Sequence, residues 1–170
     1  MRINMFLPAC LVSRRGVSLV ELIVTLTILG ILASVVLPLS QMTAKRTREI
    51  ELRRNLRTIR TAIDDFKKNY DKAVDDKKIL SSMNKSGYPE TLQQLVEGSD
   101  FGGLTTVKKK FLRKIPIDPM NVVRPGDEPK WGLRSYADKP DSSSWGGEDV
   151  YDVYSLSEGT AIDGTKYNEW

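Results

Sequence analysis

The sequence predicts an α+β fold: a long amino-terminal helix, membrane-spanning in its first half, packs through its second half on a small antiparallel sheet. Three observations lead there. Val17–Leu39 holds 23 residues with one charge among them, Glu21. Leu52, Leu56, Ile59, Ile63, Phe66 and Tyr70 recur at 4-3-4-3-4 spacing, which lines one face of a helix with apolar side chains. The last third carries aromatic and β-branched residues in short runs between turn formers, the pattern of brief strands.

Residues 1–16 read as a leader and 17–40 as a membrane helix. The apolar run would give about 34 Å of helix against a hydrocarbon core of about 30 Å. A secretory signal has a shorter apolar core and is cut on its far side. Here Arg14-Arg15-Gly16 abuts the near side, and no A-x-A end stands close to Leu39. A carboxylate in such a helix is costly and calls for a partner, which singles out Glu21. Pro38 removes a backbone donor, so a kink or local melting is expected between Gly30 and Pro38.

Residues 41–87 are expected to continue as an amphipathic helix with an extension. Its polar face carries Arg53, Arg54, Arg57, Arg60, Lys67 and Lys68; Asn84–Gly87 is a clear stop. A heptad seam would place aliphatic residues where Phe66 and Tyr70 stand, so packing on the chain's own sheet is favoured. Residues 88–170 then form the globular part. Tyr88–Gly98 reads as a short helix with Thr91 and Gln94 in a capping-box pattern, Leu92, Leu95 and Val96 inward, and Gly98 as its end. Asp100–Lys110 is a loop or a second short helix. Pro116 and Pro119 forbid a central strand across Phe111–Pro119. Lys130–Tyr136 and Val150–Ser155 are the expected strands, separated by the turn-rich Asp138–Gly147, and must lean on the helix stripe to be stable.

Composition removes several chemistries. The chain has 170 residues, no histidine and one cysteine, Cys10, within the leader. Ser-His-Asp and Cys-His catalysis and histidine-bearing zinc sites are therefore excluded, no phosphate loop is present, and no enzyme is expected. The net charge of +4 falls almost to neutral when Arg2, Arg14 and Arg15 leave with the leader, giving 23 basic against 22 acidic residues. Charge is segregated instead. Lys45–Lys85 has 13 basic and 7 acidic residues, whereas Ile115–Trp170 has 5 and 11. Complementary faces for lateral contact between copies follow more naturally than nucleic-acid binding.

Gly16-Val17-Ser18-Leu19-Val20-Glu21-Leu22 resembles the class III signal of type IV pilins and type II secretion pseudopilins. Leu112–Pro119, Trp145–Tyr154 and Asp163–Trp170 resemble the carboxy-terminal half of the major (G-type) pseudopilins, with Asp71–Ser86 and Ser99–Lys110 as insertions. The resemblance implies a pilin-like fold and cleavage after Gly16 by a prepilin peptidase on the cytoplasmic face. It implies N-methylation of Val17, where most relatives have Phe, and assembly roles for Glu21, Gly30 and Pro38. The implied protein is a structural subunit in the bacterial inner membrane, its carboxy-terminal domain in the periplasm. It polymerises with itself into a pseudopilus that drives type II secretion, alongside minor pseudopilins and an inner-membrane assembly platform. A type IV pilin, or a membrane-anchored periplasmic binding module, is the alternative. Counting basic residues votes the other way on orientation, with three before the apolar run and seven (Lys45–Arg60) after it; the motif outweighs that count. Many such pseudopilins bind calcium in the last loop, which makes Glu158 and Asp163 the candidate ligands, although only Gly164 and Thr165 stand beside Asp163.

Overall fold

The computed structural model describes residues 16–76, 86–101, 107–121, 124 and 126–170. The expectations for the leader up to Arg15, for Asn84 and Lys85 in the helix stop, and for the middle of the Asp100–Lys110 loop lie outside the described residues. The chain divides into two compact units, Met1–Met42 and Thr43–Trp170.

The first helix, α1, runs from Leu19 to Asp75 and contributes to both units. It opens on Ser18, whose Oγ accepts the amide of Glu21 at 3.1 Å while its carbonyl accepts that of Leu22 at 3.0 Å. Helix persists through Gly30 and Pro38, so the melting expected there is not found. One missing donor costs a single rung, and the turns on either side keep theirs.

The Thr43–Trp170 unit is built on the predicted stripe. Leu52, Leu56, Ile59, Ile63, Phe66 and Tyr70 are all buried, and the stripe is longer than its apolar part. Glu49, three residues before Leu52, and Ala73, three after Tyr70, are buried in the same phase. Against this face pack Leu95, Phe101, Leu112, Trp131, Val150 and Val153. Phe66 meets Phe101 and Phe111 edge-to-face at 5.1 and 5.4 Å, the favoured geometry for aromatic pairs.

The second helix, α2, covers Leu92–Glu97. Thr91 Oγ1 accepts the amide of Gln94, as expected, but Gln94 Oε1 accepts from the amide of Glu90 instead of Thr91. Gly98 ends it at φ 87°. A side chain there would lie 2.7 Å from the Lys109 carbonyl oxygen, because Ser99 and Lys109 exchange two backbone bonds at that point.

The sheet is two antiparallel three-residue strands, β1 (Gly132–Arg134) and β2 (Asp152–Tyr154), with Leu133 opposite Val153. Both lie inside the predicted runs but are shorter, for a local reason. The amide of Tyr136 is taken by Asp149 Oδ1 at 2.8 Å, and that of Ser135 by Asp138 Oδ2 at 2.7 Å. Side-chain acceptors thus end the ladder where the sequence pattern would extend it. Gly132 permits the Tyr154 ring to cross β1, since a Cβ there would sit 2.3 Å from it. A 3₁₀ turn, Tyr167–Glu169, closes the described chain.

Candidate functional site

The amino-terminal candidates lie on the first turns of α1. Ser18 and Glu21 stand three apart at the start of the helix, with the Ser18 hydroxyl capping it and Glu21 in its first turn. A carboxylate there meets the positive end of the helix dipole. This local role was readable in the Ser-x-x-Glu spacing and is additional to any partner in the membrane. Glu21 is exposed and has no ion-pair partner among the described residues. Val17 is exposed beside it, and Gly16 and Gly30 have open space where a side chain would stand. Pro38 is helical in backbone.

From Leu22 to Leu39 the helix carries no charged side chain. Leu22, Ile23, Leu26, Ile28, Leu29, Ile31 and Leu32 are all more than half exposed. The hydroxyls of Thr25, Thr27 and Ser34 bond back to the carbonyls of Leu22, Ile23 and Ile31 at 2.7–2.9 Å, as a hydrocarbon setting requires of polar groups. None of the most apolar stretch of α1 is buried, and α1 is the one helix among the described residues long and apolar enough to cross a membrane.

The carboxy-terminal candidates sit differently. Asp163 Oδ1 accepts the amide and hydroxyl of Thr165 at 3.0 and 2.6 Å, and Oδ2 accepts from Arg53 at 3.0 Å. The Thr165 bonds, with the Arg53 guanidinium adding less, hold its carboxyl below the usual range. Gly164 at φ 88° makes the turn, and Trp170 Nε1 donates to Thr165 Oγ1 at 2.7 Å while its ring lies under Arg53. Glu158 is exposed. No three acidic side chains converge among the described residues, and both oxygens of Asp163 are already engaged by its own chain. This donor set does not fit the many-oxygen shell calcium takes.

Three tethers that sequence reasoning missed fix the domain. Glu49 Oε1 accepts from the Tyr167 hydroxyl and the Ile162 amide, both at 2.9 Å, tying the tail to α1. Burial first, and then the bond to Glu49, push the Tyr167 phenol up to about 12. Asp118, fully buried, accepts from Ser155 Oγ at 2.6 Å and from the Met120 amide at 2.8 Å. Arg60 was placed on the polar face. It instead donates to Asp152, to the Val153 carbonyl and to the Trp170 main-chain oxygen, at 2.6, 3.0 and 2.6 Å. Arg134 meets the same Asp152 at 3.4 Å and stacks on Tyr154. Only Glu49 left a trace in the sequence, by falling in phase with the stripe.

Residues 12–37 match the family model described as the prokaryotic N-terminal methylation motif. No curated protein and no solved structure matches the chain. The motif describes a structural amino terminus and not an enzyme family. It covers the start of the exposed apolar helix, so the amino-terminal segment carries a prepilin-type methylation motif on a stretch long and apolar enough to cross a membrane.

Proposed function

We propose that the protein is a pseudopilin: a subunit of a periplasmic pseudopilus that drives type II secretion. A prepilin peptidase removes the leader after Gly16, and the new amine of Val17 is methylated. Subunits wait in the inner membrane until an assembly platform lifts them into the filament. The observation that carries this reading is the methylation motif on residues 12–37, running into a helix that is apolar on every side. A single anchoring helix would need hydrocarbon outward; Glu21 would remain the one unmatched charge. In a filament Glu21 pairs with the Val17 amine of a neighbour, offsetting the cost of two charges held in apolar surroundings. Gly30 and Pro38 mark the stretch that loosens on assembly. The similarity of Leu112–Pro119 and of the last eight residues to G-type pseudopilins favours this class over a type IV pilin.

The test is the intact mass of the membrane-embedded protein. It should correspond to a chain starting at Val17 with one methyl group. A terminus at Met1 or Met5 would remove the reading. Glu21→Gln and Glu21→Leu should both be processed normally, since Gly16 is untouched, yet assemble poorly. Filaments as abundant from Glu21→Leu as from wild type would remove the role assigned to Glu21.

A further inference from the structure

Among the charges that make no ion pair within the described residues of the Thr43–Trp170 unit, two groups of opposite sign each surround exposed apolar side chains. Arg53 and Arg60 are engaged within the chain. Arg46, Arg54 and Arg57 are exposed and make no ion pair among the described residues. With Ile50 they follow a spacing of four, four and three on α1, so they share one face. That face is turned away from the buried stripe, and at its centre Ile50 is 61 % exposed. The first patch is therefore an apolar knob in a ring of guanidinium groups.

The second patch is a groove of about 570 Å³ whose apolar lining comes from Val96, Ile115, Pro116, Ile117 and Pro129. Ile117 is 58 % exposed although its carbonyl is fixed by Asn55 at 3.0 Å. Around the rim stand Glu51, Asp127 and Glu128 against one cation, Lys114. None of the three carboxylates has an ion-pair partner among the described residues. An acid-rimmed apolar groove complements a basic-rimmed apolar knob in both sign and polarity.

We propose that the Ile50 knob of one copy seats in the Ile117 groove of a second copy, with Arg46, Arg54 and Arg57 facing Glu51, Asp127 and Glu128. The two patches are different surfaces, so the contact is head-to-tail. Each copy keeps one free knob and one free groove, and the chain of contacts propagates instead of closing as a pair. Such a contact is small on its own, yet copies confined to one membrane meet at a high effective concentration. The inference rests on the pseudopilin reading, and names the partner surface that the reading leaves open.

Paired thiols test it in the full-length protein in its native membrane. Cys10 is the only native thiol and leaves with the leader, so mature chains carrying Ile50→Cys with Ile117→Cys have no other. Both positions are exposed, and the fold should tolerate them. Oxidation of the double variant should give a ladder of dimers and higher multimers, with neither single variant giving one. Arg54→Glu with Arg57→Glu should lower the crosslink yield about tenfold, and combining both with Asp127→Arg and Glu128→Arg should restore it. Dimers formed by Ile50→Cys alone would overturn the head-to-tail contact in favour of a symmetric one. No ladder from chains whose mass shows a methylated Val17 would overturn the contact and leave the pseudopilin reading standing. An uncleaved leader would remove that reading instead.

Discussion

Leu26 and Leu56 lie on one helix, about eight turns apart, and are 59 % and 2 % exposed. Up to Leu39 the large apolar residues of α1 whose burial is described are exposed on all sides. From Leu52 to Ala73 they keep to one side and are covered by the domain. The comparison separates two ways of burying hydrocarbon that secondary structure alone does not distinguish. A stripe calls for a folded partner with a complementary face, whereas an all-round apolar surface calls for a solvent. The polar residues agree with this division. Hydroxyls fold back onto their own helix in both regions, as at Thr25 and Thr58, but only after Leu39 do charged side chains, those of Glu49, Arg53 and Arg60, reach to residues 152–170.

The contrast is broken most directly by shortening one side chain in each region. A fragment from Thr43 to Trp170 should fold as a unit without the apolar segment, and in it Phe66→Ala should cost about 3–5 kcal/mol by removing a ring packed between Phe101 and Phe111. In the full chain, Leu26→Ala should change the unfolding of the domain by less than about 0.5 kcal/mol. Urea unfolding followed by near-ultraviolet circular dichroism measures both. Comparable losses would mean that the two halves do not differ as described.

A smaller effect is expected from polar tethers within the covered half. Asp118→Ala leaves the buried Ser155 hydroxyl and the half-buried Met120 amide without their acceptor, so about 2–3 kcal/mol should be lost. Tyr167→Phe removes the bond to Glu49 at a cost of about 1 kcal/mol near neutral pH. It should also change the alkaline limb. The folded-state value of Tyr167, about 12, lies above the ordinary 10. Folding therefore holds the phenol neutral, and the associated stability is complete below pH 10 and lost as pH rises toward 12. Wild type should lose stability more steeply than Tyr167→Phe across that window, measured as urea midpoints at successive pH values.

The smallest response is expected at the tail loop. Asp163 and Asp138 both lie below the usual carboxylate value through bonds to neighbouring donors, so their contributions are present above about pH 4 and lost as pH falls below it. Asp163→Ala should flatten the acid limb slightly. Calcium and chelator should leave the melting temperature of the wild-type fragment unchanged; a clear rise with calcium would show Asp163 exchanging its ties to Thr165 and Arg53 for the ion.

The apolar run, the stripe from Leu52 to Tyr70 and the short helix at Leu92 were legible in the sequence because they follow from periodicity and capping, which depend on neighbours in the chain. The sheet was legible in place but not in extent, because Asp149 and Asp138 capture the amides that would have lengthened it. Asp118 and Arg60 were not legible. A buried carboxylate looks like any surface carboxylate until Ser155 is seen to donate to it, and Arg60 resembles Arg57 until Asp152 arrives from 92 residues away. Asp163 had the composition of a metal loop, but its partners are its own hydroxyl neighbour and a distant arginine.

The bond between Glu49 and Tyr167 joins positions 118 residues apart. Contacts of such long sequence separation must bear the entropy of closing a large loop before they return any stability, which slows folding. The stripe beside Glu49 therefore stays uncovered while most of the following chain is still being synthesised. A chain in that state is an open thread at the moment its apolar segment has already emerged, with no finished domain behind it. Completion of the fold waits for the last residues, when the tail can return to the turns around Glu49.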